Sequence, residues 1–122
     1  LEDSWWNLYE KLLSTGRAVE LSLKIELEDF LYNVQKLIHN KNLSTDENLT
    51  GDVSIDTAAF DDSQCIGDWC AHFNSTWANY KLVGMDIGTD SLVLMVLSNE
   101  EFKRAQELAK ELLHRIDVAE RL

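Results

Sequence analysis

The sequence predicts an α+β fold in which helices pack mainly on one face of a small antiparallel sheet, with a β-hairpin in the C-terminal part of the chain. Two apolar runs, 80–87 and 92–97, flank a polar turn, which is the pattern of a hairpin. Helical spacing of apolar residues recurs on both sides of this hairpin, and the mixed order of helices and strands is typical of an α+β domain. The 122 residues fit one domain, 1–122, although the chain opens on Leu1 and we expect it to lack some N-terminal residues.

The first third of the chain predicts a helix, a strand and a second helix. Ser4 can cap a helix over 5–14, which Gly16 would end. Apolar residues then alternate over 18–25, as in a strand, and helical spacing begins near Ser22. The apolar stripe of the second helix comprises Leu23, Leu27, Phe30, Leu31, Val34, Leu37 and Ile38.

The remainder predicts a loop, two helices and the hairpin between them. Residues 40–58 lose periodicity in a run of Asn, Ser, Thr, Asp and Gly, so we expect a long acidic surface loop there. A helix over about 63–79 would bury Ile66, Trp69, Phe73 and Trp77. Ser98 and Glu101 have the spacing of a capping box for the last helix, and both hairpin strands are apolar enough for both faces of the sheet to be covered. The predicted buried stripe of the last helix is Phe102, Ala105, Leu108, Ala109, Leu112 and Leu113.

Acidic residues dominate the surface chemistry. Eleven Lys and Arg against 22 Asp and Glu give a net charge of −11, which disfavours nucleic acid and anionic membranes as partners. The chain has no apolar run near the roughly 18 residues of a membrane span and no signal-peptide pattern at its start, so we expect a cytoplasmic protein. Residues 42–80 contain no Lys or Arg and form either a solvated surface or a docking patch for a basic protein partner. The acidic members of this patch are Asp46, Glu47, Asp52, Asp56, Asp61, Asp62 and Asp68.

Four stretches of the chain resemble a known family. They are residues 23–31, Trp77 with 80–83, the turn 86–91, and the helix end 109–116. Together they resemble an uncharacterised bacterial domain-of-unknown-function family over most of residues 17–116. The resemblance implies a fold and a bacterial origin, but no activity and no functional residue, and it matches residues 40–62 poorly.

The hairpin turn is the first candidate site. Its Asp-x-Gly-Thr run resembles the phosphate-binding hairpin of actin-like ATPases and sugar kinases, and this resemblance would give Asp86, Gly88 and Thr89 a role in holding phosphate or its metal, with Asp90 beside them. Those enzymes are two-lobed and longer, and their hairpin leads into a third strand. Because any tight turn selects Gly and Asp, we interpret these residues first as turn formers.

Two further clusters carry chemistry-bearing side chains. Residues 46–54 imitate the start of a calcium loop, but Thr57 stands where the bidentate Glu is needed, so we expect no metal site. Cys65, Asp68 and His72 share one side of the predicted third helix and could form a nucleophile set or half a zinc site. The alternative is an ordinary helix pair of Asp68 and His72 beside a filler cysteine.

These observations favour a non-enzymatic module that binds a basic protein through its acidic middle segment, with no cofactor and no catalytic residue. Small acidic immunity proteins that neutralise basic toxins are an analogy of charge and size. The alternative is a nucleotide-binding, phosphate-binding or hydrolytic domain that uses Asp86 to Asp90 with Mg²⁺. A third reading is a structural subunit that associates through exposed Trp5 and Trp6.

Overall fold

A computed structural model describes residues 2–41, 53 and 55–122 and confirms the α+β prediction. The helices are α1 (Glu2–Ser14), α2 (Leu27–Asn40), α3 (Ile66–Thr76) and α4 (Asn99–Glu111). The strands are β1 (Ala18–Ser22), β2 (Tyr80–Met85), β3 (Ser91–Ser98) and β4 (Ile116–Val118). Short 3₁₀ turns occupy Thr57–Ala59 and Ala119–Arg121.

The four strands form one antiparallel sheet in the order β1-β3-β2-β4. The hairpin of β2 and β3 lies at its centre, as the apolar runs predict. β4 is a correction, because the sequence places 109–116 in a helix that ends at Ile116. The helix instead ends at Glu111, and the chain turns back so that Ile116 pairs with Met85 and Val118 with Val83.

The apolar run of β3 divides into two cores, because successive side chains of a strand point to opposite faces. Leu92, Leu94 and Val96 enter one core with α2 and α3, and Val93 and Met95 enter the other with α1 and α4. The helices are thus divided between the two faces rather than packed mainly on one. This arrangement confirms that both faces of the hairpin are covered.

Helix ends account for most differences between predicted and observed bounds. The N–H of Arg17 donates to the C=O of Leu12, and Gly16 takes a φ of +73°, so α1 ends as predicted. After β1, the hydroxyl and C=O of Ser22 accept the N–H of Lys24 and Ile25, and this turn ends the strand. α2 therefore begins at Leu27, later than predicted.

Several side chains expected in the core are corrected by these bounds. Leu23 lies in the turn before α2 and is 54% exposed, and Leu113 lies beyond α4 and is 84% exposed. Leu108, at the margin of the α4 stripe, is also exposed. Trp5 is buried against the sheet, whereas Trp6 is 39% exposed. The hypothesis of a structural subunit that associates through two exposed tryptophans is therefore wrong for Trp5.

Asn74 on α3 binds the backbone of β2 at Leu82, where the edge of β2 extends beyond its pairing with β4. Its Oδ1 accepts the N–H of Leu82 at 2.7 Å, and its Nδ2 donates to the C=O of Leu82 at 2.9 Å and to Oε1 of Glu120 at 2.7 Å. The side-chain amide thereby replaces a neighbouring strand at a residue that is fully buried.

The ends of α2 and α4 meet at one ion pair. Lys41 Nζ lies 2.8 Å from Glu101 Oε1, and Glu101 also accepts the N–H of Ser98 in the predicted capping box. Partial burial raises the pKa of Glu101, but the Lys41 ammonium and the Ser98 N–H outweigh it, so the net pKa lies below its ordinary value.

We expect Glu101→Gln to flatten the acid limb of the stability profile. A lowered folded-state pKa contributes stability above the unfolded pKa, and this stability is lost as pH falls through the folded pKa. Because the carboxylate is 46% exposed, the effect at pH 7 should stay below about 1 kcal/mol. Urea unfolding of wild type and variant at neutral and acid pH measures it, and a difference that grows toward acid pH would contradict it.

The acidic loop predicted at 40–58 lies largely outside the described residues. Within the part that the structure describes, Val53 is buried in the core of α2 and α3, and Thr57–Ala59 form a 3₁₀ turn. No helix in the described ranges is long and apolar enough to cross a membrane.

Candidate functional site

The predicted phosphate-binding turn is closed by its own side chains. Asp86 Oδ1 accepts the N–H of Gly88 at 2.9 Å, and Thr89 Oγ1 accepts the N–H of Ser91 at 3.2 Å. Gly88 has a φ of +73° with open space where a Cβ would lie, so the glycine serves the backbone conformation. Asp90 is exposed. The four candidate residues therefore share one exposed turn, and two of their side chains cap its backbone.

The backbone of Asp86 anchors this turn to both termini of the fold. Its N–H donates to the C=O of Arg115 at 3.0 Å, and its C=O accepts the indole N–H of Trp5 at 3.0 Å. The Trp5 ring stacks on His114 with centroids 4.5 Å apart and planes 5° from parallel. Asp86 thus lies where α1, the hairpin turn and the α4–β4 connection meet.

Two clefts flank the turn. The turn cleft, of about 470 Å³, is lined by Trp5, Trp6, 86–88 and 113–115. The side cleft, of about 120 Å³, is lined by Leu23, 85–87, 89–92, Arg115 and Leu122. Nη2 of Arg115 lies 3.1 Å from Asp117 Oδ2 and 2.8 Å from the C=O of Arg121, so this guanidinium is already engaged at the chain's end.

Leu113 is the one non-glycine residue of the described ranges with a positive φ, at 60°. It follows α4 in the position that glycine usually takes, where the N–H of His114 donates to the C=O of Ala109 at 2.8 Å. A Cβ in this left-handed conformation costs roughly 1–2 kcal/mol. An exposed leucine here adds apolar surface to the turn cleft at the expense of backbone strain.

We expect Leu113→Gly to raise the free energy of unfolding by about 1 kcal/mol, because glycine adopts this conformation without the Cβ clash and Leu113 buries almost nothing. Guanidinium unfolding at pH 7 measures the change. Glu107→Gly, in the exposed interior of α4, is the matched control and should lower stability by about 1 kcal/mol. Loss of stability in Leu113→Gly would show that the side chain packs in a way its exposure does not indicate.

The acidic patch predicted from residues 42–80 is described at Asp56, Asp61, Asp62 and Asp68, and all four are exposed. Three of them bind backbone N–H groups of their own segment: Asp56 accepts from Ala58, Asp61 from Ser63 and Asp68 from Cys65. The Ser63 N–H holds the pKa of Asp61 below its ordinary value. Asp46, Glu47 and Asp52 lie outside the described residues, as does most of the calcium-like loop.

Asp62 lines a larger depression, which we call the docking groove. This groove, of about 550 Å³, lies between the turn that follows β1 and the start of α3. Its lining comprises residues 23–28, Asp62, Gln64, Cys65, Ile66 and Trp69. Apolar side chains from both elements lie beside three carboxylates, those of Glu26, Glu28 and Asp62, and a single cation, Lys24.

The three groove carboxylates have no ion pair and no side-chain hydrogen bond within the described residues. All three are exposed. Leu23, which is 54% exposed, lines both the docking groove and the side cleft, so the groove continues toward the hairpin turn. The surface from the groove to the turn therefore mixes apolar and polar side chains, and acidic residues outnumber basic ones on it.

The predicted cysteine cluster is only partly brought together. Cys65 caps α3, with Sγ 3.2 Å from Asp68 Oδ2, while the ring of His72 packs edge-on to Phe60 at 4.8 Å. Cys65 is exposed, and Cys70 is buried; burial raises the pKa of the Cys70 thiol to about 12. Among the described residues no group of three His, Cys, Asp or Glu side chains could hold a metal ion.

Sequence reasoning did not identify Glu26, Glu28 or Leu23 as surface-site residues. The acids have the positions expected at a helix N-terminus, which gives them a sufficient local explanation. The signal that could have found them is the alternation of Leu23, Ile25 and Leu27 with charged residues, because this run continues beyond the end of β1 at Ser22. Only the fold shows that this run meets the start of α3.

Comparison with known proteins gives a family but no activity. A family model described as "Domain of unknown function (DUF6630)" matches residues 1–119. No curated protein and no solved structure matches the chain.

Proposed function

Because the chain belongs to this family of unknown function, we propose from its own surface that the domain is a non-enzymatic protein-binding module. The docking groove receives a partner segment that is basic and partly apolar. The observation that carries the proposal is the set of three exposed carboxylates, Glu26, Glu28 and Asp62, which have no cationic partner among the described residues and lie beside apolar side chains of the groove.

Charge and size support this occupant. A net charge of −11 repels acidic partners and increases the encounter rate with basic ones. A groove of about 550 Å³ accommodates a few side chains, and Leu23, Ile25, Ile66 and Trp69 offer them apolar contact. Lysine or arginine side chains can then reach the carboxylates while their aliphatic stems lie along the lining.

Selection from a random dodecapeptide library displayed on phage tests the proposal. We expect enriched peptides to combine Lys or Arg with Leu, Ile, Val or aromatic residues. Their affinity should fall at least tenfold between about 0.05 M and about 0.5 M NaCl, since exposed charges are screened over a shorter distance at high salt. Selected peptides that are acidic or neutral, or the absence of any enrichment, would contradict the proposal.

A charge-reversed variant locates the binding. The triple variant Glu26→Lys, Glu28→Lys, Asp62→Lys should weaken the selected peptides at least tenfold. The matched control Glu10→Lys, Glu107→Lys, Glu111→Lys makes the same change of net charge at exposed positions on the opposite helical layer. It should stay within about threefold of wild type, and equal losses in the two variants would show that net charge, not the groove, governs binding.

A further inference from the structure

Leu113 has a backbone conformation that the turn after α4 imposes and that a leucine disfavours. In this turn, a Schellman motif, the N–H of Leu113 donates to the C=O of Lys110 at 3.1 Å and the N–H of His114 to the C=O of Ala109 at 2.8 Å. The motif requires the left-handed conformation at Leu113, which has a φ of 60°. Because both hydrogen bonds join backbone groups, the turn does not need the leucine side chain.

The side chain of Leu113 gains little from the fold. It is 84% exposed and is the most exposed large apolar side chain of the described residues. It lines the turn cleft together with Trp6, which is 39% exposed. Backbone strain that packing does not offset occurs chiefly at functional sites. The coincidence of strain, exposure and a cleft indicates that this leucine contacts another molecule.

The turn cleft is continuous with the docking groove. Leu23 lines both the docking groove and the side cleft. Asp86, Ile87 and Arg115 line both the side cleft and the turn cleft. All three depressions lie at the end of the sheet where β1 ends and β4 begins. A segment seated in the docking groove can therefore continue along this end of the sheet to Leu113.

The charge between the groove and the turn cleft suits the same basic partner. Asp86 and Asp90 line the side cleft and are exposed, and Asp90 has no ion pair or hydrogen bond within the described residues. Arg115, the cation of this cleft, already binds Asp117 and the C=O of Arg121. The carboxylates along this path therefore favour a basic segment over an acidic one.

We propose that the partner segment in the docking groove continues across the side cleft and places an apolar side chain against Leu113 and Trp6 in the turn cleft. This inference rests on the proposed function and gives the partner a second, apolar contact. The exposed leucine and tryptophan then become buried on binding, which offsets the strain that Leu113 carries in the free protein.

The sheet gives the length of this segment. Three inter-strand spacings of about 4.8 Å separate β1 from β4 in the order β1-β3-β2-β4, which is roughly 14 Å. An extended segment advances about 3.3 Å per residue, so about four or five residues lead from the docking groove to the turn cleft. Library-selected peptides should therefore carry an apolar residue about five positions from their Lys or Arg residues.

Substitutions of Leu113 test the proposal with the library-selected peptides and fluorescence anisotropy. Leu113→Ala and Leu113→Gly should each weaken binding about tenfold, because both remove the apolar side chain from the contact. Leu113→Met keeps an apolar side chain and should bind within about threefold of wild type. The matched control is Leu108→Ala, since Leu108 is 46% exposed on α4 but lines none of the three depressions. It should also stay within about threefold.

Stability measurements separate contact from folding. Leu113→Gly relieves the backbone strain and should raise the free energy of unfolding while it weakens binding. Leu113→Ala keeps a Cβ in the left-handed conformation and should weaken binding without this gain in stability. A loss of binding that follows a loss of stability through the series would overturn the contact of Leu113 with the partner.

Trp6 provides an independent report on the turn cleft. Of the four tryptophans, Trp5, Trp69 and Trp77 are at most 4% exposed, so acrylamide quenching of tryptophan fluorescence reports mainly Trp6. A selected peptide without tryptophan should lower the quenching constant at least twofold at saturation. The same peptide with its distal apolar residue replaced by serine should leave the constant unchanged. Equal quenching with and without the first peptide would overturn the proposal.

A second copy of this chain is the other apolar occupant to test. Two chains that each carry a net charge of −11 repel one another, so we expect a monomer in sedimentation velocity up to about 0.1 mM. A wild-type dimer that Leu113→Gly converts to monomers would assign the turn cleft to self-association and overturn the partner contact.

The two proposals fail in different ways. If the triple variant of the groove carboxylates loses the selected peptides while Leu113→Ala and Leu113→Gly bind them within about threefold of wild type, the docking groove is supported and the contact at Leu113 is excluded. If Leu108→Ala weakens binding as much as Leu113→Ala, the contact at Leu113 is also excluded. If no peptide is enriched from the library, both proposals are excluded.

Discussion

Trp5→Ala should lower the free energy of unfolding by about 3–5 kcal/mol, the range for truncating a fully buried aromatic side chain. Trp5 is 1% exposed, packs in the core of α1 and α4, stacks on His114 and donates its indole N–H to the C=O of Asp86. The substitution removes the core packing, the ring stacking and the hydrogen bond, and with them the contact of Trp5 with the hairpin turn. Guanidinium unfolding followed by circular dichroism at pH 7 measures the loss.

Trp6 supplies the matched control in the next position of the same helix. It is 39% exposed and contacts Tyr9 edge-on with centroids 5.4 Å apart. Trp6→Ala should cost clearly less than Trp5→Ala, about 2 kcal/mol or less, since 39% of the Trp6 surface stays exposed to water in the folded chain. Similar losses for the two variants would contradict the assignment of Trp5 to the core and Trp6 to the surface.

Asn74→Leu should lower the free energy of unfolding by about 3 kcal/mol. Leucine has a similar size but no hydrogen-bonding group, so the N–H and C=O of Leu82 lose both bonds while they remain buried. Leaving a buried donor or acceptor unsatisfied costs roughly 1–3 kcal/mol for each group. Urea unfolding with native-state hydrogen exchange at the Leu82 amide measures the total loss and its location.

Asn33→Leu is the control for Asn74, because Asn33 is also half-buried on a helix but donates to the C=O of Asp29 in that same helix. It should change stability by less than about 0.5 kcal/mol. A second variant, Asn74→Asp, keeps an acceptor for the Leu82 N–H but removes the donor and adds a charge 2.7 Å from Glu120 Oε1. It should recover stability as pH falls, because protonation removes the repulsion and restores a donor. A pH-independent loss would contradict this explanation.

Local signals explain what the sequence predicted well. The hairpin strands, the capping box of Ser98 and Glu101, and the end of α1 at Gly16 each depend on residues within a few positions of one another. The placement of Trp69, Phe73 and Trp77 in a core also follows from helical spacing alone. These features need no knowledge of distant parts of the chain.

Features fixed by distant contacts escaped prediction. β4 is three residues long, too short for an alternating pattern, and exists because β2 offers it an edge. Leu113 carries no turn signal, since glycine or asparagine is the usual residue in its conformation. The apolar alternation covers 18–25, but the strand ends at Ser22 because Ser22 closes a turn with Lys24. The spacing of apolar residues does not reveal this turn.

The candidate site shows the same division. The turn of Asp86 and Gly88 was found from its residues, and its side chains do bond to its own backbone. Whether Asp86, Gly88, Thr89 and Asp90 bind a ligand stays a prediction. The docking groove joins Glu26 and Glu28 to Asp62 across a long stretch of chain, so it becomes visible only when the start of α3 is placed beside the turn after β1.

The apolar side chains on both faces of β3 have a consequence for its register. From Leu92 to Val96 every side chain is buried, so a register shift of one residue would exchange one apolar face for the other with little loss of burial. The alignment must therefore be set by polar contacts at its two ends. At one end the carboxylate of Asp86 closes the bend, and at the other Asn99 grips the carbonyls of Ala78 and Asn79. These two sets of polar contacts therefore fix the register of a strand whose own side chains do not specify it.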